Sequence, residues 1–466
     1  MRFSTCLAST AALLGLMAFK QNVALKSAPA TRPQLHPTAL KSTKGTKATT
    51  AVTDVVTAAN AFIASLTTAQ QTTLLQTFNT TNVAKWSNLP CGAQCRIGLQ
   101  LSNLTAAQQT LAMAVVQVAT GTAANEGYQE IQQIRAADDY LNTNGGGSGY
   151  SAGLYFIAFL GTPSTTGTWM LQFGGHHLAT NITFGGGNVT GATPKFEGVE
   201  PLSFVTANAN IFPTGTTVTP MGSEASAMLA MFNGLTTTQK AAAKLTQTFG
   251  DVLLGPNTVE GSSTTYPTTK VGVQCSTLTS AQQALVVAAM APWVNDADDA
   301  TAAQLLNYYQ TQLANTFISY SGTGNFTTNG DYARIDGPNV WIEFVCQTGV
   351  VFRSNIHYHS IWRDRARDYG GNFYTTVTGT KSETAATVFS VYPNPVATGL
   401  GLDVVMAKAT PSATYTLRNL LGQTVVSQLF TGTTTKISTV GLSAGTYVLT
   451  VQPAGEAAVT ARVTLE

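Results

Sequence analysis

Four segments of the chain share one pattern: a leucine, then threonine, then a glutamine three residues after the threonine. They begin at Leu66, Leu104, Leu235 and Leu278, and their glutamines are Gln70, Gln108, Gln239 and Gln282. Threonine in that place caps a helix N-terminus through its hydroxyl, and the glutamine side chain returns to the cap amide. The preceding leucine stands where a hydrophobic staple packs, and the Ala-rich and Leu-rich runs that follow are good helix formers. Order matters more than the motif itself. Leu66 and Leu104 make one pair, Leu235 and Leu278 another, displaced by about 170 positions. After each pair comes a strand-like run, opened by Phe156 in the first case and Phe317 in the second. A further strand candidate follows, starting at Trp169 and at Trp341, and each half then delivers a histidine pair. This shared order predicts an α+β main domain over 51–375, internally duplicated as two helix-pair-plus-sheet halves of about 60–200 and 230–370 around a pseudo-twofold axis.

The flanks read differently. Arg2 precedes an apolar stretch over 7–19, with small residues near Ala24 and Ala28. That is the pattern of a cleaved secretory signal, placed at 1–24, and it is too short to span a membrane. Residues 25–50 carry Pro, Thr, Ala and Lys without apolar periodicity and read as a linker. No later segment offers an uninterrupted apolar span, so no transmembrane segment is expected in the mature chain. Only 10% of residues are charged and the net charge is +2, which gives no strong attraction for nucleic acid or an anionic membrane. Four cysteines remain beyond the leader: Cys91, Cys95, Cys275 and Cys346. In an oxidising exterior they predict up to two disulfides, with three connectivities open. A zinc site is the competing reading, though Cys91 and Cys95 have no matching second pair.

A break at 376–387 separates the main domain from a tail over 388–466. There, apolar and polar residues alternate in short runs divided by turn residues, which predicts a small all-β, immunoglobulin-like sandwich. Its segments Tyr392-Pro-Asn-Pro395, Leu421-Gly-Gln423 and Leu442-Ser-Ala-Gly-Thr-Tyr447 resemble, in order and spacing, the signatures of the type A sorting domain of the type IX secretion system of Bacteroidetes. The terminus, Ala461 to Glu466, is less basic than is common in that family. The resemblance implies export across both membranes, a secreted or surface-attached protein, and the type IX machinery as partner of residues 388–466.

The histidines carry the chemical signal. The chain has five; His36 lies in the linker, and the rest are His176 with His177 and His357 with His359. In an extended segment His357 and His359 project to one face about 7 Å apart, where two imidazoles can converge on one ion. His176 and His177 point to opposite faces if extended, so one is a ligand and the other orients it or meets substrate. All four are candidate metal ligands. Glu197, Glu200, Asp364 and Asp368 lie near them in sequence, and Glu200 and Asp364 are the candidate catalytic carboxylates. Glu343 inside the second tryptophan strand needs a partner for a buried charge. Arg363, Arg365 and Arg367 are available for structural ion pairs.

The blocks around these residues resemble the signature blocks of domain-of-unknown-function family 3500, over roughly 50–375. They are Trp169 to Ala179 (WMLQFGGHHLA), Thr193 to Pro201 (TPKFEGVEP), and His357 to Asp364 (HYHSIWRD) followed by Asp368-Tyr-Gly370. That resemblance implies a family and no established activity. From the residues alone, three His ligands with one open position suit zinc first, which lowers the pKa of bound water and supports hydrolysis of an unidentified external substrate. An all-imidazole site also suits copper, and with it oxidoreductase chemistry or sequestration. Hydrolysis by carboxylate and histidine without metal, and a non-catalytic binding or structural surface protein, are the other classes open. No Gly-x-Ser-x-Gly elbow occurs, and Gly185-Gly-Gly187 is a turn signal, not a nucleotide site.

Overall fold

A computed structural model describes residues 48–256, 266–373, 388–419, 423–454 and 458–466. The expected leader, all but the last three residues of the first linker, the second linker, and Leu421 and Gly422 of the tail signature lie outside the described residues.

All four threonine–glutamine segments form capping boxes, at Thr67, Thr105, Thr236 and Thr279. Each threonine amide donates to its glutamine Oε1 at 2.9–3.0 Å. The four leucines before them are buried. The glutamines also pair across helix starts in a way that helix propensity does not require. Gln108 Nε2 donates to Gln70 Oε1 at 3.2 Å and to the Ser65 carbonyl at 2.9 Å. Gln282 Nε2 donates to Gln239 Oε1 at 2.7 Å and to the Gly234 carbonyl at 3.0 Å. The helix before the first cap of each pair packs on the helix after the second: Ala48–Ala64 on Ala106–Ala119, and Gly222–Asn233 on Ser280–Val294.

The helices cover one face of a twelve-stranded sheet. Its eight longer strands run, edge to edge, Phe156–Leu160, Trp169–Gly175, Leu178–Gly185, Lys195–Val199, Ile356–Asp364, Val340–Thr348, Tyr332–Asp336 and Phe317–Ser321. Every neighbouring pair among these eight is antiparallel. Two sequence-consecutive groups of four thus meet at the centre through their last strands, with His359 opposite Gly198 and Ile361 opposite Phe196. Both tryptophan strands form as expected, and Trp169 and Trp341 are fully buried. The strands are nearly all buried on both faces, so their sequences read as apolar runs and not as alternation. Helix Gly127–Leu141 sends Ile131 and Ile134 into the apolar cluster of the first group and Ala136 and Ala137 into that of the second. Loops cover the opposite face, carrying Trp86, Leu254 and Tyr266 onto Phe196, Trp341 and Ile361.

Of the cysteines, Cys91 and Cys95 are joined, whereas Cys275 and Cys346 are buried free thiols. The second expected disulfide is therefore not formed. Both thiols sit in the apolar layer between sheet and helices, where burial pushes the Cys275 thiol up to about 12. Described residues of the tail form five strands joined in one curled sheet around Leu402, Leu417, Leu449 and Val463. The long strand Leu402–Asn419 bends through register shifts near Thr410 and so pairs with three neighbours. Among the described residues, no helix is long and apolar enough to cross a membrane.

Replacing Gln282 by alanine removes both a capping partner and the amide link between helix starts. The expected cost is about 1–2 kcal/mol, read as a lower urea midpoint with an unchanged m-value. Alanine at exposed Gln310, on a neighbouring helix and outside any cap, should leave the midpoint nearly unmoved.

Candidate metal centre

The centre grows from one hairpin and one strand. Trp169–Gly175 and Leu178–Gly185 pair with Gly175 opposite Leu178, so His176 and His177 are the two residues of the turn. His177 takes φ +59°, the left-handed region, at a cost of about 1 kcal/mol for a residue with a Cβ. Two backbone hydrogen bonds hold it there: its amide donates to the Asn88 carbonyl at 3.1 Å, and its carbonyl accepts from the Gly198 amide at 2.7 Å. The loop that supplies Asn88 runs on to Cys91, which is joined to Cys95. Arg96 then ties that loop to the hairpin, its Nη2 donating to the carbonyls of Ser87, Leu89 and Gly175 at 2.5–2.7 Å.

His357 and His359 are two apart on Ile356–Asp364, and strand alternation puts both on the loop-covered face. Gly198, across the sheet, leaves room for them. A Cβ there would come within 2.9 Å of the His359 ring and 3.1 Å of the His177 ring. One ring nitrogen each of His177, His357 and His359 lies within 4.8 Å of the others. The Nε2 atoms of His357 and His359 are 3.2 Å apart. Two ligands on one tetrahedral ion with bonds of about 2.0 Å sit about 3.3 Å apart, so this pair already has ligand spacing.

Partners fix the tautomers. His359 Nδ1 lies 3.0 Å from Asp251 Oδ1. An ionised carboxylate only accepts, so Nδ1 carries the proton and Nε2 presents its lone pair. The side-chain amide nitrogen of Gln347 lies 3.0 Å from the same Nδ1. Burial alone pushes the Asp251 carboxyl up, but the bond with His359 and that with the Val252 amide outweigh it and hold it below its ordinary value. His176 is outside the three. Its Nδ1 bonds Asp138 Oδ1 at 2.7 Å, the other oxygen of Asp138 accepts from Tyr155, and its ring stacks on His177 at 3.7 Å between centroids. Burial, with three neighbouring imidazoles, pushes His177 well down; burial and His359 push His357 down to about 3. Neutral imidazoles are the form that ligates metal.

The carboxylates named from sequence lie elsewhere. Glu200 accepts the backbone amides of Val350, Val351 and Phe352 at 2.6–3.1 Å and so pins that turn. Asp364 accepts from the Tyr309 hydroxyl, the Ala366 amide and Arg367. Glu343 finds its partners in the Leu253 and Leu254 amides, Tyr332 and Trp341. Arg363 pairs with Asp368 at 2.6 Å and Arg365 with Asp336 at 2.9 Å. Asp138, Asp251, Asn88 and Arg96 were not singled out by sequence reasoning. Each reaches its histidine, or the hairpin, across dozens of residues or more, with no local motif to mark it.

Comparison with known proteins follows this geometry. The family described as Protein of unknown function (DUF3500) matches residues 48–371. The chain belongs to this family. The Secretion system C-terminal sorting domain matches residues 390–466, which marks the protein for export by the type IX route to the cell surface or beyond. No curated protein matches. Among solved structures, one similar chain is PorZ, an essential bacterial surface component of the type-IX secretion system of Porphyromonas gingivalis. It is 15% identical, with a TM-score of 0.16; the match covers 32% of this chain and 16% of that one.

In metal-free protein, the ring resonances of His177 and His357 should stay flat between pH 8 and pH 5, as followed by NMR. A depressed histidine pKa stabilises the fold above the ordinary value near 6.5, and that contribution is lost as pH falls from there towards about 3. Titration of His357 near pH 6.5 would contradict the geometry.

Proposed function

We propose that the exported chain binds one transition-metal ion through His177, His357 and His359. The observation that carries this reading is the convergence of three buried imidazoles, two of them at ligand spacing, with a carboxylate behind His359. Zinc comes first and copper second, because an all-nitrogen site suits both. His176 serves as a positioning residue, stacked on His177 and anchored to Asp138. An ion held there would take the place of the His357–His359 contact, and His357 would carry its single proton on Nδ1, so that it would ligate as a neutral imidazole.

Three protein ligands leave a fourth position for water, the arrangement of a hydrolytic zinc centre. The three imidazoles are nearly buried, at 1–5% exposure, so a polymer cannot approach the ion without movement of the covering loops. The hydrolase reading therefore narrows to small substrates, with copper sequestration or oxidoreductase chemistry as the alternative. Glu200 and Asp364, committed to backbone and side-chain donors, are left out of this chemistry. The paired capping boxes, the amide links and the mirrored strand order support reading the main domain as a duplication whose two copies each contribute one histidine pair. The curled sheet of the tail is compatible with an immunoglobulin-like sandwich.

The test is the metal content of tag-free exported protein beside two variants. One zinc or copper per chain is expected, lost in His357→Ala. It should also be lost in His177→Gly, where glycine accepts the left-handed turn and the fold should persist by circular dichroism. Asp251→Asn should retain the fold and weaken binding about 10–100-fold. Folded protein that takes up neither ion when offered both would overturn the proposal and leave the histidines as scaffold.

A further inference from the structure

The helix-covered face of the same central strands holds a second cluster of opposite character. Glu197 and Lys195 project from Lys195–Val199 to that face, opposite Ser360 and Trp362. Glu126 and Glu130 come from the start of Gly127–Leu141, Glu224 from the first turn of Gly222–Asn233, and Asp296 follows Ser280–Val294. All six side chains are buried, Glu130, Glu197 and Glu224 completely. Lys195 Nζ bonds Asp296 and lies 2.5 Å from Glu197, but 4.0 Å from Glu130. Asp296 also accepts the Gly127 amide at 2.5 Å.

Five carboxyl groups therefore share one ammonium. Oxygens of Glu130, Glu197 and Asp296 lie within 4.8 Å of one another, and Lys195 already serves that set. Oxygens of Glu126, Glu130 and Glu224 likewise lie within 4.8 Å of one another, and among the described residues the only ion pair that reaches this set is Lys195 to Glu130, at the long distance of 4.0 Å. Among the described residues, neither oxygen of Glu130 and neither of Glu224 accepts a hydrogen bond, although both residues are wholly buried and aimed into the set. Unpaired buried carboxylates cost several kcal/mol each, so the set must hold either protons or a cation. Burial and mutual repulsion push Glu126 up to about 7 and Glu130 and Glu224 well above the ordinary carboxylate range, as a place short of positive charge requires.

We infer that Glu126, Glu130 and Glu224 form a site for one hard divalent cation, of the calcium or manganese class, independent of the histidine centre. The donors are all carboxylate oxygen, the choice of hard ions and a poor match to copper or to structural zinc. Oxygens on opposite sides of calcium stand about 4.8 Å apart at bonds of about 2.4 Å, so the cluster spans no more than one ion's coordination sphere. Glu130, common to both sets, places the ion next to the fixed charge of Lys195. Such an ion would tie the helix Gly127–Leu141, which bridges the two apolar clusters, to the helix Gly222–Asn233 of the other half.

The experiment uses full exported protein carrying His177→Gly, so that the nitrogen centre does not contribute. After purification in calcium and gel filtration into chelator-treated buffer at pH 7.5, elemental analysis should find one calcium per chain. Calcium or manganese added to stripped protein should raise the thermal midpoint. Glu224→Gln and Glu130→Gln should each weaken binding at least tenfold while raising the midpoint of the ion-free protein, because each removes one repelling charge. If neither ion is retained nor shifts the midpoint, or if both variants bind as the parent does, the site is overturned and the cluster holds protons. Zinc or copper content of the parent chain reports separately on the histidines.

Discussion

The register at the centre of the sheet governs the molecule. His359 faces Gly198 and Ser360 faces Glu197, so one antiparallel pair sends imidazoles to one face and carboxylate with ammonium to the other. A slip of one residue would exchange the faces, placing histidines under the helices and Glu197 under the loops. Gly198 is what permits the pairing on the histidine side, since any Cβ would strike the rings of both His177 and His359. Depth in the apolar interior then makes each face chemically extreme: His177 and His357 held neutral on one side, carboxylates short of counter-charge on the other.

Each face depends on groups that arrive from far along the chain. The His176–His177 turn is strained at His177, and the restraint comes from a distant loop through Asn88 and Arg96. Across the sheet, Asp296 couples to Lys195 and to the amide of Gly127, so the end of a helix in one half fixes the start of a helix in the other. The two clusters are sealed by different means, loops over the histidines and helices over the carboxylates. That difference sets which could admit a small ligand without unpacking the core.

Much of the scaffold was legible in sequence because its signals are local. Thr279 and Gln282 are three residues apart, and a capping box needs nothing else. The tryptophan strands and the tail's turn signatures are local in the same sense. The histidine pairs were found by counting, since four of five histidines in two tight pairs is itself a pattern. Carboxylates gave no such signal. Glu200 was named for its nearness to a histidine block, yet it satisfies three amides about 150 residues away in the chain. Asp251, which does meet His359, lies 108 residues from it. Cysteine parity misled in a similar way: Cys275 and Cys346 are buried in the apolar layer as free thiols.

The sequence by itself determined the helix starts, the strands, the export tail and the two histidine pairs, because each is specified by side chains within a few positions of one another. Only the tertiary structure decided which imidazole stands apart from the other three, which carboxylates stand behind them, and that five acidic groups share one lysine. Those outcomes depend on strand register and helix placement across separations of up to about 180 residues, such as His177 to His359. Distance along the chain carries no information about such contacts until the core has closed around them.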